Sequence, residues 1–209
     1  MDHHESFDDK FNIIIVGDGA VGKSSLLHRY FTESFKSNRK QTLGVECFDK
    51  KIKKNDKNYL IKFWDTAGQE KFAVVSKNYY RVAHGIIISS SINDRDSFIN
   101  LKKWFKSIKE NNTNDNLQII IVATKCDLEG ERKVQKEEFE KLADEIKVKY
   151  FETSAKEDIN ISTAFDYLVN QVIESIYKKP DDNQREGVGP SFHLKKDSKD
   201  NEEKKKTCC

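Results

Sequence analysis

Cysteine is scarce in this 209-residue chain. Of its four, Cys47 and Cys126 are isolated and Cys208 and Cys209 adjoin at the end, so there is neither a disulfide framework nor a CxxC metal pattern. A reducing compartment is the expectation. An excess of charge of one sign is missing too. Against 37 Lys and Arg stand 35 Asp and Glu, a formal net of +2, which provides no global field for holding nucleic acid. No apolar run approaches the roughly 20 residues that a membrane span requires. The opening MDHHESFDDK is polar and acidic where a leader would be basic and then apolar. The body is therefore expected to be soluble and cytosolic. His3 and His4 have no Cys or His partner nearby, and a solvated terminus is expected there rather than a metal site. Specific chemistry must come from local sites, and the length suits one full domain with an appendage.

Short runs rich in Ile and Val at residues 11–16, 85–88 and 117–123 lack alternation, which is how strands covered on both faces of a parallel sheet read. Residues 97–108, 136–146 and 161–177 have helical spacing, so strands alternate with helices. The predicted fold class is α/β. Residues 47–53 and 59–63 alternate in character and flank the turn-rich stretch 54–58, predicting an antiparallel hairpin on one edge. Periodicity ends after Tyr177. Residues 179–207 hold both prolines, two glycines and many balanced charges but little that can pack. The chain thus divides into a flexible start over residues 1–9, a folded domain over 10–178 and a disordered tail over 179–209.

Gly17-Asp18-Gly19-Ala20-Val21-Gly22-Lys23-Ser24 follows the first buried strand and precedes the helical stretch 25–31, matching GxxxxGK(S/T) in its required setting. Glycines let backbone N–H groups close around phosphate oxygens at a helix N-terminus. Lys23 supplies a cation to β- and γ-phosphates, and the Ser24 hydroxyl a hard oxygen for Mg²⁺. Trp64-Asp65-Thr66-Ala67-Gly68-Gln69-Glu70 begins where the third predicted strand ends. Asp65 is placed to hold the magnesium shell through water, Gly68 to offer its N–H to a γ-phosphate, and Gln69 to orient attacking water. Thr42, after the polar stretch 36–41, can coordinate Mg²⁺ only while the γ-phosphate is present; alone, it would read as a solvated loop hydroxyl.

Base identity falls to Thr124-Lys125-Cys126-Asp127 and Thr153-Ser154-Ala155-Lys156. A carboxylate accepting from two adjacent N–H donors suits guanine, since adenine presents no such pair, and a buried polar group left unpaired costs about 1–3 kcal/mol. Asp127 therefore selects guanine, the Ala155 N–H reaches the guanine O6 atom, the Lys125 stem lies along the base, and Phe35 covers the ribose and base edge. Cys126 is expected to be structural within this loop.

These residues together resemble the Ras-like small GTPases, and within them the Rab branch, over residues 10–178 and again at the C-terminus. Rab character rests on Leu43-Gly44-Val45-Glu46-Cys47-Phe48, Asn78-Tyr79-Tyr80-Arg81, Asn100-Leu101-Lys102-Lys103-Trp104 and the terminal Cys208-Cys209. The resemblance implies a P-loop NTPase fold: a mostly parallel six-stranded sheet with one antiparallel edge strand and helices on both faces. It assigns phosphate binding to Gly17 through Ser25, magnesium to Ser24 and Thr42, water positioning to Gln69, and guanine recognition to Lys125, Asp127 and Ser154 through Lys156.

It further implies slow GTP hydrolysis, with partners in an exchange factor, an activating protein, effectors, and the prenylation and GDP-dissociation-inhibitor machinery. Cys208 and Cys209 would carry geranylgeranyl groups that anchor the protein at the cytoplasmic face of membranes, alongside a soluble pool. Two lipids suffice for stable anchoring, and Lys204-Lys205-Lys206 would add about 1 kcal/mol per charge toward anionic lipid. Trp64 and Phe48 would join the effector surface, whereas Trp104, Phe105 and Phe165 fall on helical faces and are expected to serve the core.

Some positions depart from the family pattern. Thr124 stands where Asn is usual, for which faster GDP release is expected; Ser89-Ser90-Ser91 replaces a stretch usually carrying Tyr-Asp, and Lys71 replaces Arg. Arg39, three residues before Thr42, is either a solvated basic residue or, as in heterotrimeric α subunits, an arginine acting in cis. Two rivals to the switch stand at this point. One is a scaffold that holds GTP without meaningful hydrolysis, which Gln69 and Gly19 oppose; the other is an ATP-using P-loop kinase, which leaves Asp127 unexplained.

Overall fold

The computed structural model describes residues 6–35, 42, 44–66 and 73–177, with side chains in the last segment from residue 78 onward. Six strands form one sheet in the order β2-β3-β1-β4-β5-β6. They are β1 (Asp9–Gly17), β2 (Val45–Lys54), β3 (Lys57–Thr66), β4 (Gly85–Ser91), β5 (Gln118–Thr124) and β6 (Lys149–Glu152). Pairing is parallel between β1 and β3, β1 and β4, β4 and β5, and β5 and β6. Only β2 runs antiparallel, on the edge beside β3. The turn joining these two is tight because Asn55 and Asp56 both adopt positive φ, a conformation that Asn and Asp tolerate better than most residues.

The unalternating apolar runs are explained by two cores, one on each face of the sheet. Ile13 and Ile15 point to one, against Leu26 and Leu27 of α1 (Lys23–Thr32) and Phe165, Leu168 and Val172 of α5 (Ile161–Ser175). Ile14 and Val16 point to the other, against Leu101 and Ile108 of α3 (Arg95–Asn111) and Phe139 and Leu142 of α4 (Lys136–Ile146). Tyr80 of α2 (Ala73–Val82) joins this second core. Each such side chain contributes about 1.5–3 kcal/mol relative to exposure, so a strand loaded on both faces is held firmly in the middle of the domain. α3 starts where the Asp94 side chain accepts from the Ser97 N–H, and α4 where Gln135 and Glu138 cap one another reciprocally. At its C-terminal end, each of β1, β3, β5 and β6 runs into one of the motif segments singled out in the sequence, the usual place for a ligand in a parallel α/β sheet.

Candidate nucleotide and metal site

The phosphate-loop motif spans the turn from β1 into α1. Gly17 has φ +137° and pairs in register with Ser89 of β4 so closely that an added Cβ would lie 2.2 Å from the Ser89 carbonyl oxygen. Ala20 and Gly22 also take positive φ, folding the loop back over the start of α1. That helix begins at Gly22 with no side-chain cap and no acidic residue in its first turn, so its N-terminal dipole faces the loop without a competing anion of its own first turn. Lys23 is buried, and its ammonium donates to the carbonyls of Gly17 at 2.8 Å and Asp18 at 2.7 Å. Gly19 is half-buried in the loop, Val21 fully buried, and Ser25 half-buried on the first turn of α1.

The hydroxyls of Ser24 and Thr42 lie 2.6 Å apart although 18 residues separate them in sequence. Asp65, at the end of β3, is fully buried, and the next residue, Thr66, donates its hydroxyl to the Ile15 carbonyl. Two hydroxyls and a carboxylate are the hard oxygens that Mg²⁺ prefers, so the donor chemistry of these residues fits that ion. Among the described residues no group of three or more His, Cys, Asp or Glu offers an alternative metal site. Gly68 and Gln69 lie outside the described residues, as do Arg39, Lys71 and the terminal cysteines.

Burial lowers the Lys23 ammonium to about 8, against the raising pull of the Asp65 and Asp18 carboxylates. In the protein without nucleotide, the ammonium is therefore penalised below about pH 8, and the penalty disappears as pH rises toward 10.5. Polyphosphate beside the amine would restore the charged form, so binding there above about pH 8 would take up a proton. Apparent GDP affinity should fall by up to about tenfold per pH unit above that point. Titration with a fluorescent GDP analogue between pH 7 and 9.5 checks this: a flat profile in the wild type refutes it, and Lys23→Arg should lack the slope.

On the base side, Ser154 donates its hydroxyl to Asp127 Oδ1 at 2.6 Å and accepts from the Glu157 N–H at 3.0 Å. The Cys126 N–H donates to the Thr153 carbonyl at 3.1 Å, which joins the two base motifs through the main chain. Lys125 takes positive φ and Lys156 is exposed, while Phe35 is 37% exposed beyond the end of α1. Burial, then the nearby Glu152 and Asp127 carboxylates, push the Cys126 thiol up, which suits a structural rather than a reactive cysteine. Thr124 is buried and donates its hydroxyl to the Val21 carbonyl at 2.5 Å, so this substituted residue does tie the base loop to the phosphate loop.

Three features lay beyond the sequence reading. Arg29, on α1, sends Nε to the Ala155 carbonyl at 2.7 Å and a terminal N–H to the Lys156 carbonyl at 2.9 Å, so one helix starts at the phosphate loop and braces the base loop. Trp104 packs against the second core, as its helical spacing predicts, but its indole N–H also donates to Asp18. Phe48 stacks on Phe31 against the α1 side of the sheet, at a centroid distance of 5.1 Å. Its expected place on an outward surface is corrected by register: Phe48 pairs with Phe63, and the partner of Trp64 is the exposed Cys47. Trp64 packs instead against Tyr79, at 5.3 Å between centroids. A signal for this was present in strand alternation, since neighbours in β2 must face opposite sides.

Comparison with known proteins agrees with this geometry. The model of the Ras family matches residues 12–174. The Ras-related protein Rab-13 of Rattus norvegicus is 38% identical over 169 residues, covering 81% of this chain and 83% of that protein. Human Ras-related protein Rab-3A is 38% identical over 177 residues, with 85% and 80% covered, and Rab-3 of Caenorhabditis elegans 37% over 180 residues, with 84% and 82% covered. The chain therefore belongs to the Ras family, in its Rab branch, and is a small GTPase.

Proposed function

We propose that this small GTPase is a membrane-anchored switch in vesicle trafficking, which recruits effectors while GTP is bound and releases them after hydrolysis. The observation that carries the reading is the meeting of Ser24 and Thr42, one on the phosphate helix and one on the loop before β2. Ser24 and Thr42 would hold Mg²⁺ directly and Asp65 through water, and the ion would supply positive charge against that developing on the phosphates. Gly17 through Ser25 cradle the phosphates, Lys23 contributes its ammonium, and Gly68 donates its N–H to the γ-phosphate. Gln69 orients the attacking water, so catalysis is by position and charge with no covalent intermediate. Asp127, Ser154, Ala155, Lys125, Lys156 and Phe35 hold the guanosine, with Thr124 joining base loop to phosphate loop.

Loss of the γ-phosphate removes what Thr42 and Gly68 report on, and a partner favouring the GTP form shifts the balance by its differential affinity. No described helix is long and apolar enough to cross a membrane. Attachment would fall to lipid on Cys208 and Cys209, the adjacent pair of thiols at the end of the chain.

Chromatography of the nucleotide retained after gentle purification tests the reading: GDP supports a hydrolysing switch, retained GTP the scaffold, and adenine nucleotide neither. Gln69→Leu should bind GTP nearly as the parent does and hydrolyse it about tenfold more slowly, about 1.4 kcal/mol of barrier. An unchanged rate in single-turnover hydrolysis, with and without an activating protein, removes Gln69 from the mechanism. Deleting Cys208 and Cys209 should move the protein from the membrane to the soluble fraction with GDP affinity intact. Persistent membrane association would place the anchor elsewhere.

A further inference from the structure

Asp18 puts a carboxylate into a loop built to attract phosphate, where a free negative charge would repel the ligand. It is not left free. Trp104 donates its indole N–H to Asp18 Oδ1 at 2.7 Å, and Asn100 donates its amide to Asp18 Oδ2 at 2.6 Å. The two donors are four residues apart, hence neighbours on one face of α3. Leu101 and Ile108 bury the same helix in the core between α3 and the sheet. Both carboxylate oxygens are thus held by a rigid element lying 82 and 86 residues further along the chain. The Asp18 carbonyl also accepts from the Lys23 ammonium, so fixing this residue fixes the amine that faces the phosphates.

We propose that Asn100 and Trp104 are positioning residues for the phosphate loop: by gripping the Asp18 carboxylate, they hold the loop in its phosphate-binding shape and slow nucleotide release. The inference rests on the reading of this loop as the phosphate site. Hydrogen bonds to a charged acceptor contribute more than neutral ones, and two on a single carboxylate also fix its orientation. Turning the charge away from the ligand and toward α3 lets the loop backbone N–H groups and Lys23 act on the phosphates with less opposition.

A reciprocal exchange tests the grip. In Asn100→Asp, two carboxylates face each other at hydrogen-bond distance, and neither can donate unless they share a proton. The double variant Asp18→Asn, Asn100→Asp restores donor to acceptor in reverse at the charge of the wild type: the amide at 18 donates to the carboxylate at 100 and its oxygen accepts from Trp104. Each full-length protein is loaded with a fluorescent GDP analogue, and release into excess GDP is followed at saturating Mg²⁺ between pH 5.5 and 8, with thermal unfolding of each loaded protein alongside. Asn100→Asp should release GDP about tenfold faster than the wild type at pH 7.5, with the difference shrinking toward pH 5.5 as the pair takes up a proton. The exchange should return release to within about twofold at every pH.

A defect from lost packing alone would not depend on pH, and that outcome overturns the proposal. Release from Asn100→Asp at the parental rate also overturns it, as does an exchange variant that remains as fast as Asn100→Asp. Should Asn100→Asp fail to fold, the exchange variant and Trp104→Phe, which keeps the ring and deletes one donor, carry the test: a parental rate in Trp104→Phe sinks the grip. A wild type that takes up no guanine nucleotide would overturn the phosphate-site reading itself, which separates that failure from failure of the grip alone.

Discussion

Asp127→Asn should weaken GDP binding by about 10² to 10⁴-fold while leaving the domain folded. Ser154 places the carboxylate by donating its hydroxyl to Oδ1, and in the proposed reading its oxygens accept from two N–H donors of guanine. Hydrogen bonds to a charged group are worth about 1.5–3 kcal/mol each, so losing one outright and weakening the other to a neutral bond, with a donor now facing a donor, amounts to roughly 3–6 kcal/mol. The asparagine amide turns one acceptor into a donor and sets it against the exocyclic amine of guanine. Xanthine carries a carbonyl in place of that amine, so the same variant should gain affinity for xanthosine diphosphate. Displacement titrations with GDP and xanthosine diphosphate measure both effects. Unchanged GDP affinity would mean that Asp127 does not touch the base, and loss of GDP with no gain for the xanthine nucleotide would mean that it acts through the loop.

Gly17→Ala should remove much of the stability of the domain. A Cβ there would meet the Ser89 carbonyl oxygen at 2.2 Å and its carbon at 3.1 Å, and both belong to the backbone of a buried parallel strand. Neither strand can retreat without dismantling β1–β4 pairing, and φ of +137° adds strain of its own for an L side chain. Overpacking costs about 1–3 kcal/mol and the backbone about 1–2 kcal/mol more, a destabilisation of about 3 kcal/mol or greater. For a domain of this size that lowers the unfolding midpoint by about 10 °C. Gly44→Ala is the control, since Gly44 also has positive φ, +92°, but no atom of the described residues lies within 4 Å of the added one. Its midpoint should fall by only a few degrees. Equal losses in the two variants would show that the close approach to Ser89 is not the cause.

Much of this architecture is legible in the sequence. Unalternating runs such as 11–16 and 117–123 can be satisfied only by strands with a core on each face, and that is where Ile13 and Ile14 diverge to opposite sides. Helix α4 coincides with its predicted range of residues 136–146, because an apolar stripe with a capping box at its start defines both face and beginning. Helix α2 was not predicted; its 10 residues are too short for the 3.6-residue period to stand out. The proposed phosphate-loop residues are readable because a loop that would wrap an anion with its own backbone must be contiguous, so its composition appears as a motif.

Residues brought from distant segments left no comparable trace. Nothing local marks Asn100 and Trp104 as partners of Asp18 or Arg29 as a brace for Ala155; helical spacing rightly sets Trp104 against the core, but periodicity reports a face and not the carboxylate that its indole N–H meets. Phe48 and Cys47 differ by one position, yet pleating sends one against Phe31 and leaves the other exposed opposite Trp64, so strand register decided which of them faces outward. The sequence by itself determined the fold class and the phosphate-loop motif, and it proposes Asp127 as the guanine-selecting carboxylate, since each rests on a short run of residues acting together. Only the tertiary structure decided which side chains hold those runs in place, because such contacts arise from the packing of α1 and α3 against the sheet and follow no spacing along the chain.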